Sequence, residues 1–292
     1  MRFAHRGLVQ MAPENTCGAF QAAIDAGYEG IEIDLQLSKD GEIIVVHDSN
    51  FTRMTLGHPT GFSNARICEM TWDEIQRMEI PYANHLLSEM LPPHTEVESM
   101  AIMPNRLMGQ EDDSDYIAAL AKDGRMAHLM RFADFDAWFA TQNTDTLIEI
   151  EYKAGGMMPR MLEILDRSPN LNRYILFSGV EAYTAEIQKA CRQSGKPKGL
   201  RLGANIRYLT DDSKRWVTEN ELFEVGLNAE CFTNEDVSWL KDHGVHVLSN
   251  LGDYPAWWEK LVQLDVLGFK TNYAGAYTAW WQNAIANAPQ GK

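Results

Sequence analysis

Cysteine is scarce in this sequence, with four residues among 292. Cys17, Cys68, Cys191 and Cys231 lie far apart and show no Cys-x-x-Cys spacing. Proteins that depend on a disulfide scaffold carry cysteine at much higher density, so that class is excluded. The scarcity is typical of a protein in a reducing compartment.

Long hydrophobic runs are also missing. No stretch approaches the roughly eighteen apolar residues that a membrane-spanning helix needs. The opening, Met1-Arg2-Phe3-Ala4-His5, has no apolar segment of the kind found in a secretory signal peptide. We therefore expect no membrane span, no stable membrane association and a cytoplasmic location.

Basic residues are outnumbered, with 26 Lys and Arg against 41 Asp and Glu and a formal charge of −15. Nucleic acids and anionic membranes bind to basic surfaces, so we expect neither as a partner. An anionic small molecule could still be a substrate of an acidic protein if its binding site were locally positive. Arg6, Lys153 and a divalent metal would supply that positive charge. The oligomeric state is not readable from the sequence.

The order of predicted elements favours one α/β domain over residues 1–292. Strands are predicted at 2–6, within 30–48 and at 147–153, and five more alternate with helices, at 174–178, 199–204, 229–232, 245–249 and 267–271. Eight such units predict a (β/α)8 TIM barrel. A long inserted stretch, about 57–130, follows the second strand, and we expect part of it to cap the C-terminal mouth of the barrel.

Local signals predict several helices. One runs from Glu14 to Ala26 and ends at Gly27. The capping box Thr71-Trp72-Asp73-Glu74 opens a short helix inside the inserted stretch. A further helix is predicted there from Ser114 to Lys122.

The clearest chemical signal is a predicted β-hairpin. Residues 31–37 and 42–47 flank the turn Lys39-Asp40-Gly41, and a turn centred on Lys39-Asp40 would put Glu32 opposite His47 and Asp34 opposite Val45. Strand alternation puts both carboxylates on one face. Two carboxylates beside an imidazole predict a hard-cation site next to a proton donor.

Four segments in this region together resemble the opening of the glycerophosphodiester phosphodiesterase (GDPD) family. They are His5-Arg6-Gly7, Pro13-Glu14-Asn15-Thr16, Glu32-Ile33-Asp34 and His47-Asp48. Later, Glu151-Tyr152-Lys153 resembles the family's Glu-x-Lys. The resemblance implies a TIM barrel and a metal-dependent phosphodiesterase that hydrolyses glycerophosphodiester-type substrates to an alcohol and a phosphomonoester.

Residue chemistry and this resemblance together predict three groups of site residues. Histidine suits proton transfer near neutral pH, and carboxylates without nearby cysteine favour one hard divalent cation, Mg²⁺ or Ca²⁺. The predicted groups are His5 and His47 for catalysis, Glu32, Asp34 and Glu151 for the metal, and Arg6, Lys153 and Asn15 for the phosphate.

Alternatives stay open for several of these residues. Glu149 lies on the same strand face as Glu151 and is a rival metal ligand, although the Glu-x-Lys spacing favours Glu151. Asn15 could simply cap the first helix. Ion pairs with Arg6 and Lys153 could account for the carboxylates without a metal.

The function also has alternatives. The substrate could be another sugar or polyol phosphodiester, or a lysophospholipid, and a rival of another class is a non-catalytic binding protein on the same fold. The strand ends Val247 to Asn250 and Thr271-Asn272 depart from the family pattern, which leaves the headgroup open. The resemblance implies that a hydroxyl of the substrate attacks first and forms a cyclic phosphate.

Overall fold

A computed structural model describes residues 1–54, 64–81, 125–227, 231–249, 255–272 and 274–286 of the chain. The strands in these residues are β1 Arg2–Ala4, β2 Gly30–Leu37, β3 Ile43–Val45, β4 Ile80–Pro81, β5 Met126–Ala127, β6 Leu147–Tyr152, β7 Tyr174–Phe177, β8 Arg201–Ile206, β9 Glu224–Leu227, β10 His246–Ser249 and β11 Gly268–Thr271. The helices are α1 Cys17–Asp25, α2 Trp72–Ile75, α3 Phe132–Phe139, α4 Met158–Leu165, α5 Glu181–Ser194, α6 Asp211–Glu219, α7 Asn234–Asp242, α8 Pro255–Gln263 and α9 Ala274–Ala286.

Eight of these strands close into a parallel barrel. They follow the order β1-β11-β10-β9-β8-β7-β6-β2, and β1 also pairs with β2, which closes the ring. Helices follow most of the strands and surround the barrel. The predicted (β/α)8 TIM barrel is confirmed, and its C-terminal end is where enzymes of this fold carry their reacting groups.

Alternation along β2 separates the outer core from the barrel interior. Ile31, Ile33 and Leu35 are buried in the main apolar cluster together with aromatic residues of α3. Their neighbours Glu32 and Asp34 therefore point to the opposite, inner face of the strand. Two acidic side chains are thus directed into the lumen by the same pattern that buries the apolar ones.

The hairpin after β2 is antiparallel as predicted, but the predicted register was wrong by one residue. Leu35, not Asp34, pairs with Val45. The physical reason is the turn: Ser38 N–H donates to the Glu42 carbonyl at 2.9 Å, and Gly41 has φ +85°. Three residues therefore form the loop, with glycine in the left-handed position, where a two-residue loop was expected.

Two other predicted boundaries were wrong. The strand predicted at 229–232 is β9 and lies earlier, at Glu224–Leu227. Its inward-facing Glu224 interrupts the apolar pattern that marks a buried strand. Phe232, an apolar residue of the predicted strand, is buried just before α7. The first helix begins at Cys17 rather than Glu14, because the Thr16 hydroxyl accepts a hydrogen bond from the Ala19 N–H and caps it.

The described ends of the long inserted stretch pack against the hairpin. Ile67, Ile75 and Ile80 join Ile44 and Val46 in a second apolar cluster. The capping box at Thr71 and Glu74 is confirmed. The predicted helix from Ser114 to Lys122 lies outside the described residues, as does most of the predicted cap, which stays a prediction.

Two expectations, one about disulfides and one about membrane-spanning helices, can be compared with the structure. All four cysteines are free, in agreement with the absence of a disulfide scaffold. Among the helices of the described ranges, none combines the length and the apolar character needed to cross a membrane.

Candidate active site

The loop after β1 has a strained backbone that orients Arg6 toward a predicted metal ligand. Arg6 has φ +60° and Gly7 has φ +87°, and a Cβ on Gly7 would lie 2.7 Å from the Ala19 Cβ. A side chain at position 7 is therefore excluded by sterics as well as by conformation. The turn aims the Arg6 N–H at Glu32 Oε2, 3.1 Å away. Strain of this kind on a non-glycine residue is often found at functional sites.

Three carboxylates converge at the C-terminal half of the barrel. Glu32 and Asp34 lie on β2, and the parallel register sets Glu151 of β6 beside Asp34. One carboxylate oxygen from each of the three lies within 4.8 Å of the others. A Cβ on Gly179 would lie only 3.0 Å from Glu151 Oε1, so glycine leaves room for this side chain. The structure thus brings together the three predicted metal ligands.

This cluster offers the oxygen ligands that a divalent cation prefers. Glu32 Oε1 and Asp34 Oδ1 are buried and accept no hydrogen bond. Burial raises the pKa of Glu32 well above its usual range, and the neighbouring charge of Asp34 raises it further. Buried carboxylate oxygens that accept no hydrogen bond are costly, and a hard cation with oxygen ligands would satisfy them.

Two cationic side chains border the same carboxylates. Arg6 Nε lies 3.4 Å from Asp34 Oδ2. Lys153 Nζ lies 2.9 Å from Glu151 Oε2 and 3.4 Å from Asp34 Oδ1. The ion pairs considered as an alternative are therefore present, but they leave carboxylate oxygens without hydrogen bonds. Phosphate binding by Arg6 and Lys153 stays a prediction.

Asn15 contacts a predicted metal ligand rather than the helix end. Its Nδ2 donates to Asp34 Oδ2 at 2.8 Å, and its Oδ1 accepts from the Asp34 N–H at 3.2 Å. The helix cap is Thr16, so the capping alternative for Asn15 was wrong. Both ends of its amide are used to hold Asp34, and a contact of Asn15 with phosphate stays a prediction.

His5 lies between a carboxylate and an amide. Its Nε2 is 3.8 Å from Glu32 Oε2, and its Nδ1 is 2.9 Å from Asn272 Oδ1. Because the amide oxygen only accepts, Nδ1 carries the proton and Nε2 is left as the acceptor. Burial lowers the pKa of His5 well below its usual value, and the Arg6 charge lowers it further.

His47 lies beyond β3, where its backbone carbonyl accepts a hydrogen bond from Gln36 at 2.9 Å. Its Nδ1 is 2.6 Å from Asp48 Oδ1. Burial raises the pKa of Asp34, but the charges of Arg6, His47 and Lys153 outweigh it and hold this pKa far below the usual range. His47 and Asp34 therefore interact electrostatically, although the predicted hairpin register was wrong by one residue.

The sequence of this chain matches a known family over most of its length. A profile of the glycerophosphoryl diester phosphodiesterase family matches residues 5–202, which is more than half of the chain. The chain belongs to this family. The matched region contains all eight predicted site residues.

Individual GDPD relatives agree with this assignment. A glycerophosphodiester phosphodiesterase of Caldanaerobacter subterraneus subsp. tengcongensis is 38% identical over 96 residues, covering 32% of this chain and 37% of the relative. Glycerophosphodiester phosphodiesterase 1 of Bos taurus is 40% identical over 89 residues, covering 30% of this chain and 25% of the relative. The alignments thus span less than half of either relative.

Solved structures share the fold at low identity. A phosphodiesterase of Oleispira antarctica, solved in complex with the product sn-glycerol-3-phosphate, superposes with a TM-score of 0.67 at 17% identity, covering 98% of this chain and 97% of that one. The likeness supports the barrel architecture.

One oxygen of Glu149, the rival ligand in this GDPD chain, is held by a lysine, while its Oε2 is buried and accepts no hydrogen bond. Lys270 Nζ donates to Glu149 Oε1 at 2.9 Å and lies 4.3 Å from the centroid of the Phe177 ring. Since β11 and β6 are not neighbours, this pair crosses the barrel interior. Burial lowers the pKa of Lys270, but Glu149 and the other carboxylates outweigh it and raise the pKa above its usual value. Sequence reasoning missed Lys270 because a single lysine in an apolar strand carries no local signal.

We expect the Lys270→Met substitution to destabilise the protein by about 3–5 kcal/mol, because it leaves Glu149 buried without its cation. Urea unfolding followed by far-ultraviolet circular dichroism measures the effect. The double variant Lys270→Met with Glu149→Leu should recover much of the loss. Lys241→Met, which removes an exposed ion pair with Asp265, serves as the control and should change little. A loss no larger than in the control would contradict this prediction.

Proposed function

We propose that this protein is a metal-dependent phosphodiesterase that hydrolyses glycerophosphodiester-type substrates to an alcohol and a phosphomonoester. The observation that carries the proposal is the convergence of three carboxylates within 4.8 Å, two of them with buried oxygens that accept no hydrogen bond. Family membership supports the same class of reaction. A reducing, cytoplasmic setting remains our expectation from the scarcity of cysteine.

Glu32, Asp34 and Glu151 would hold one divalent cation, Mg²⁺ or Ca²⁺. When bound, the cation would neutralise charge that develops on the phosphate oxygens. The neighbouring Asn15 would keep Asp34 oriented, since both ends of its amide contact that residue. A ligand held by a second residue in this way is less free to turn out of the site.

Arg6 and Lys153 would bind the phosphate of the substrate. The Arg6 guanidinium offers a planar pair of donors, and Lys153 offers a point charge. Both lie within 3.4 Å of Asp34, so a phosphate that bridges them would lie beside the carboxylate cluster. Their positive charge also explains how an acidic protein would attract an anionic substrate.

The two histidines would move the protons. Nε2 of His5 is the ring nitrogen left as acceptor by the contact with Asn272, and it would take the proton from the attacking hydroxyl. His47, with Nδ1 held by Asp48, would donate a proton from Nε2 to the departing alcohol. General acid and base catalysis of this kind contributes roughly 10²–10⁴-fold each.

We further propose that the attacking hydroxyl belongs to the substrate, so that a cyclic phosphate forms first and is then opened by water. An oriented neighbouring hydroxyl can contribute up to about 7–11 kcal/mol. A substrate lacking the hydroxyl next to the phosphoester should therefore bind but not turn over. Isothermal titration measures its binding, and phosphorus NMR detects the cyclic product on the natural substrate. Normal turnover of the deoxy compound without any cyclic product would exclude this route.

Turnover on a panel of phosphodiesters, with and without EDTA, tests the activity as a whole. We expect release of alcohol from glycerophosphodiesters that EDTA abolishes and added Mg²⁺ or Ca²⁺ restores. Binding of these compounds without turnover in any metal would instead identify a binding protein. Preference for a lysophospholipid or for another polyol diester would change the substrate but leave the reaction class intact.

A further inference from the structure

We propose that Arg53 is a positioning residue that holds His47 and Arg6 in their places through two intervening carboxylates. The inference rests on the proposed function, because it concerns the proton donor and the phosphate-binding arginine. Arg53 follows the hairpin, and nothing in the motif pattern assigns it a role.

One side of the guanidinium reaches the histidine. Arg53 Nε lies 2.7 Å from Asp48 Oδ2, and the other oxygen of that carboxylate lies 2.6 Å from His47 Nδ1. A carboxylate only accepts hydrogen bonds, so Nδ1 of His47 carries a proton. Asp48 does not engage Nε2, which would carry the second proton of the charged ring and donate it to the departing alcohol. Arg53 holds the carboxylate of Asp48, and Asp48 in turn keeps the proton of His47 on Nδ1.

The other side of the guanidinium reaches the phosphate-binding arginine. Arg53 Nη1 and Nη2 lie 2.5 and 2.6 Å from the two oxygens of Glu14, a bidentate pair. Glu14 Oε1 also accepts from Arg6 Nη1 at 3.1 Å. Burial raises the pKa of Glu14, but the Arg53 and Arg6 charges outweigh it and hold this pKa far below its usual range. Glu14 is thus a fixed anion between two guanidinium groups.

The geometry requires an arginine at this position. Nε contacts one carboxylate while the two terminal nitrogens contact another, a division that the single nitrogen of lysine cannot reproduce. The backbone on either side is anchored, because Phe51 and Met54 are fully buried in the second apolar cluster. The Arg53 side chain is itself 14% exposed. A small solute can therefore reach a gap left by its removal.

The first experiment is a chemical rescue of Arg53→Ala. We expect kcat to fall by at least about 10²-fold, because a displacement of about 1 Å in a site costs this much. Millimolar methylguanidinium should restore it at least tenfold by occupying the gap between the two carboxylates. Arg173→Ala is the matched control: Arg173 is partly buried, ends a 3₁₀ turn directly before β7, and donates a hydrogen bond to the Thr144 carbonyl at 2.8 Å. Any loss of activity there should not respond to methylguanidinium.

The second measurement does not depend on turnover. Nitrogen-15 NMR of the histidine rings, recorded at a pH where His47 is neutral, should report one tautomer for His47 in the wild type, with Nδ1 protonated, and a mixture in Arg53→Ala. Arg53→Lys, which keeps the charge but not the fork, should lie between them and replaces Arg53→Ala if that variant fails to fold. An unchanged His47 tautomer together with the absence of rescue would overturn the inference. If the wild type hydrolyses no phosphodiester, the proposed function fails, but the tautomer comparison still decides whether Arg53 positions His47.

Discussion

Glu151→Gln is expected to abolish turnover almost completely and to weaken divalent cation binding by at least about 100-fold. The change keeps the shape of the side chain but removes the charge of one of the three convergent carboxylates. Loss of a residue that merely supports a ligand already costs about 10–100-fold in metal affinity or activity, so loss of the ligand itself should cost more. Isothermal titration with Mg²⁺ and Ca²⁺ measures the affinity, and release of alcohol measures turnover.

Glu149→Gln is the matched control for this prediction. Both glutamates lie on the inner face of β6, two residues apart, but Glu149 contacts Lys270 across the barrel. A glutamine there keeps an oxygen that can accept from Lys270 Nζ. We expect metal binding close to that of the wild type. Full activity in Glu151→Gln together with an inactive, folded Glu149→Gln would show that the other glutamate is the ligand.

His47→Ala should lower kcat by about 10²–10⁴-fold on a substrate with an alkyl leaving group. The reason is that an alkoxide is a poor leaving group without a proton donor. On a glycerol 4-nitrophenyl phosphodiester the same variant should lose little activity, since nitrophenolate leaves without protonation. Steady-state kinetics on the two substrates measures the difference.

His5→Ala provides the comparison. If His5 removes the proton from the attacking hydroxyl, its loss should lower kcat on both substrates, whatever the leaving group. Equal losses on both substrates in His47→Ala would contradict its assignment as the acid. A leaving-group dependence in His5→Ala and not in His47→Ala would mean that the two roles are exchanged.

The sequence predicted the carboxylate cluster because the rules that govern it are local. Strand alternation fixes the face of Glu32 and Asp34, and the Glu-x-Lys pattern marks Glu151 on another predicted strand. In a closed parallel barrel, adjacent strands bring such residues together at one end. The capping box at Thr71 was likewise confirmed, since it depends on a hydrogen bond three residues along the chain.

The hairpin shows where local rules were insufficient. Its strands were predicted, but the pairing depended on whether two or three residues form the turn. The positive φ of Gly41 and the bond from Ser38 to Glu42 decided this. A shift of one residue in the register changes every cross-strand pair of the hairpin, so the neighbours of His47 could not be predicted from the sequence.

Some contacts of the site were decided by the tertiary structure alone. Lys270 meets Glu149 only because the barrel closes and sets two non-adjacent strands across one lumen. Arg53 meets Glu14, 39 residues earlier, only because the segment after the hairpin folds back over the loop that follows β1. The sequence by itself determined the fold class, through local periodicity, and the candidate ligands, among which the family resemblance favoured Glu151 over Glu149. The residues that balance the charge of those ligands and hold them in place come from segments remote in the chain. The distances between these segments are fixed only when the barrel packs.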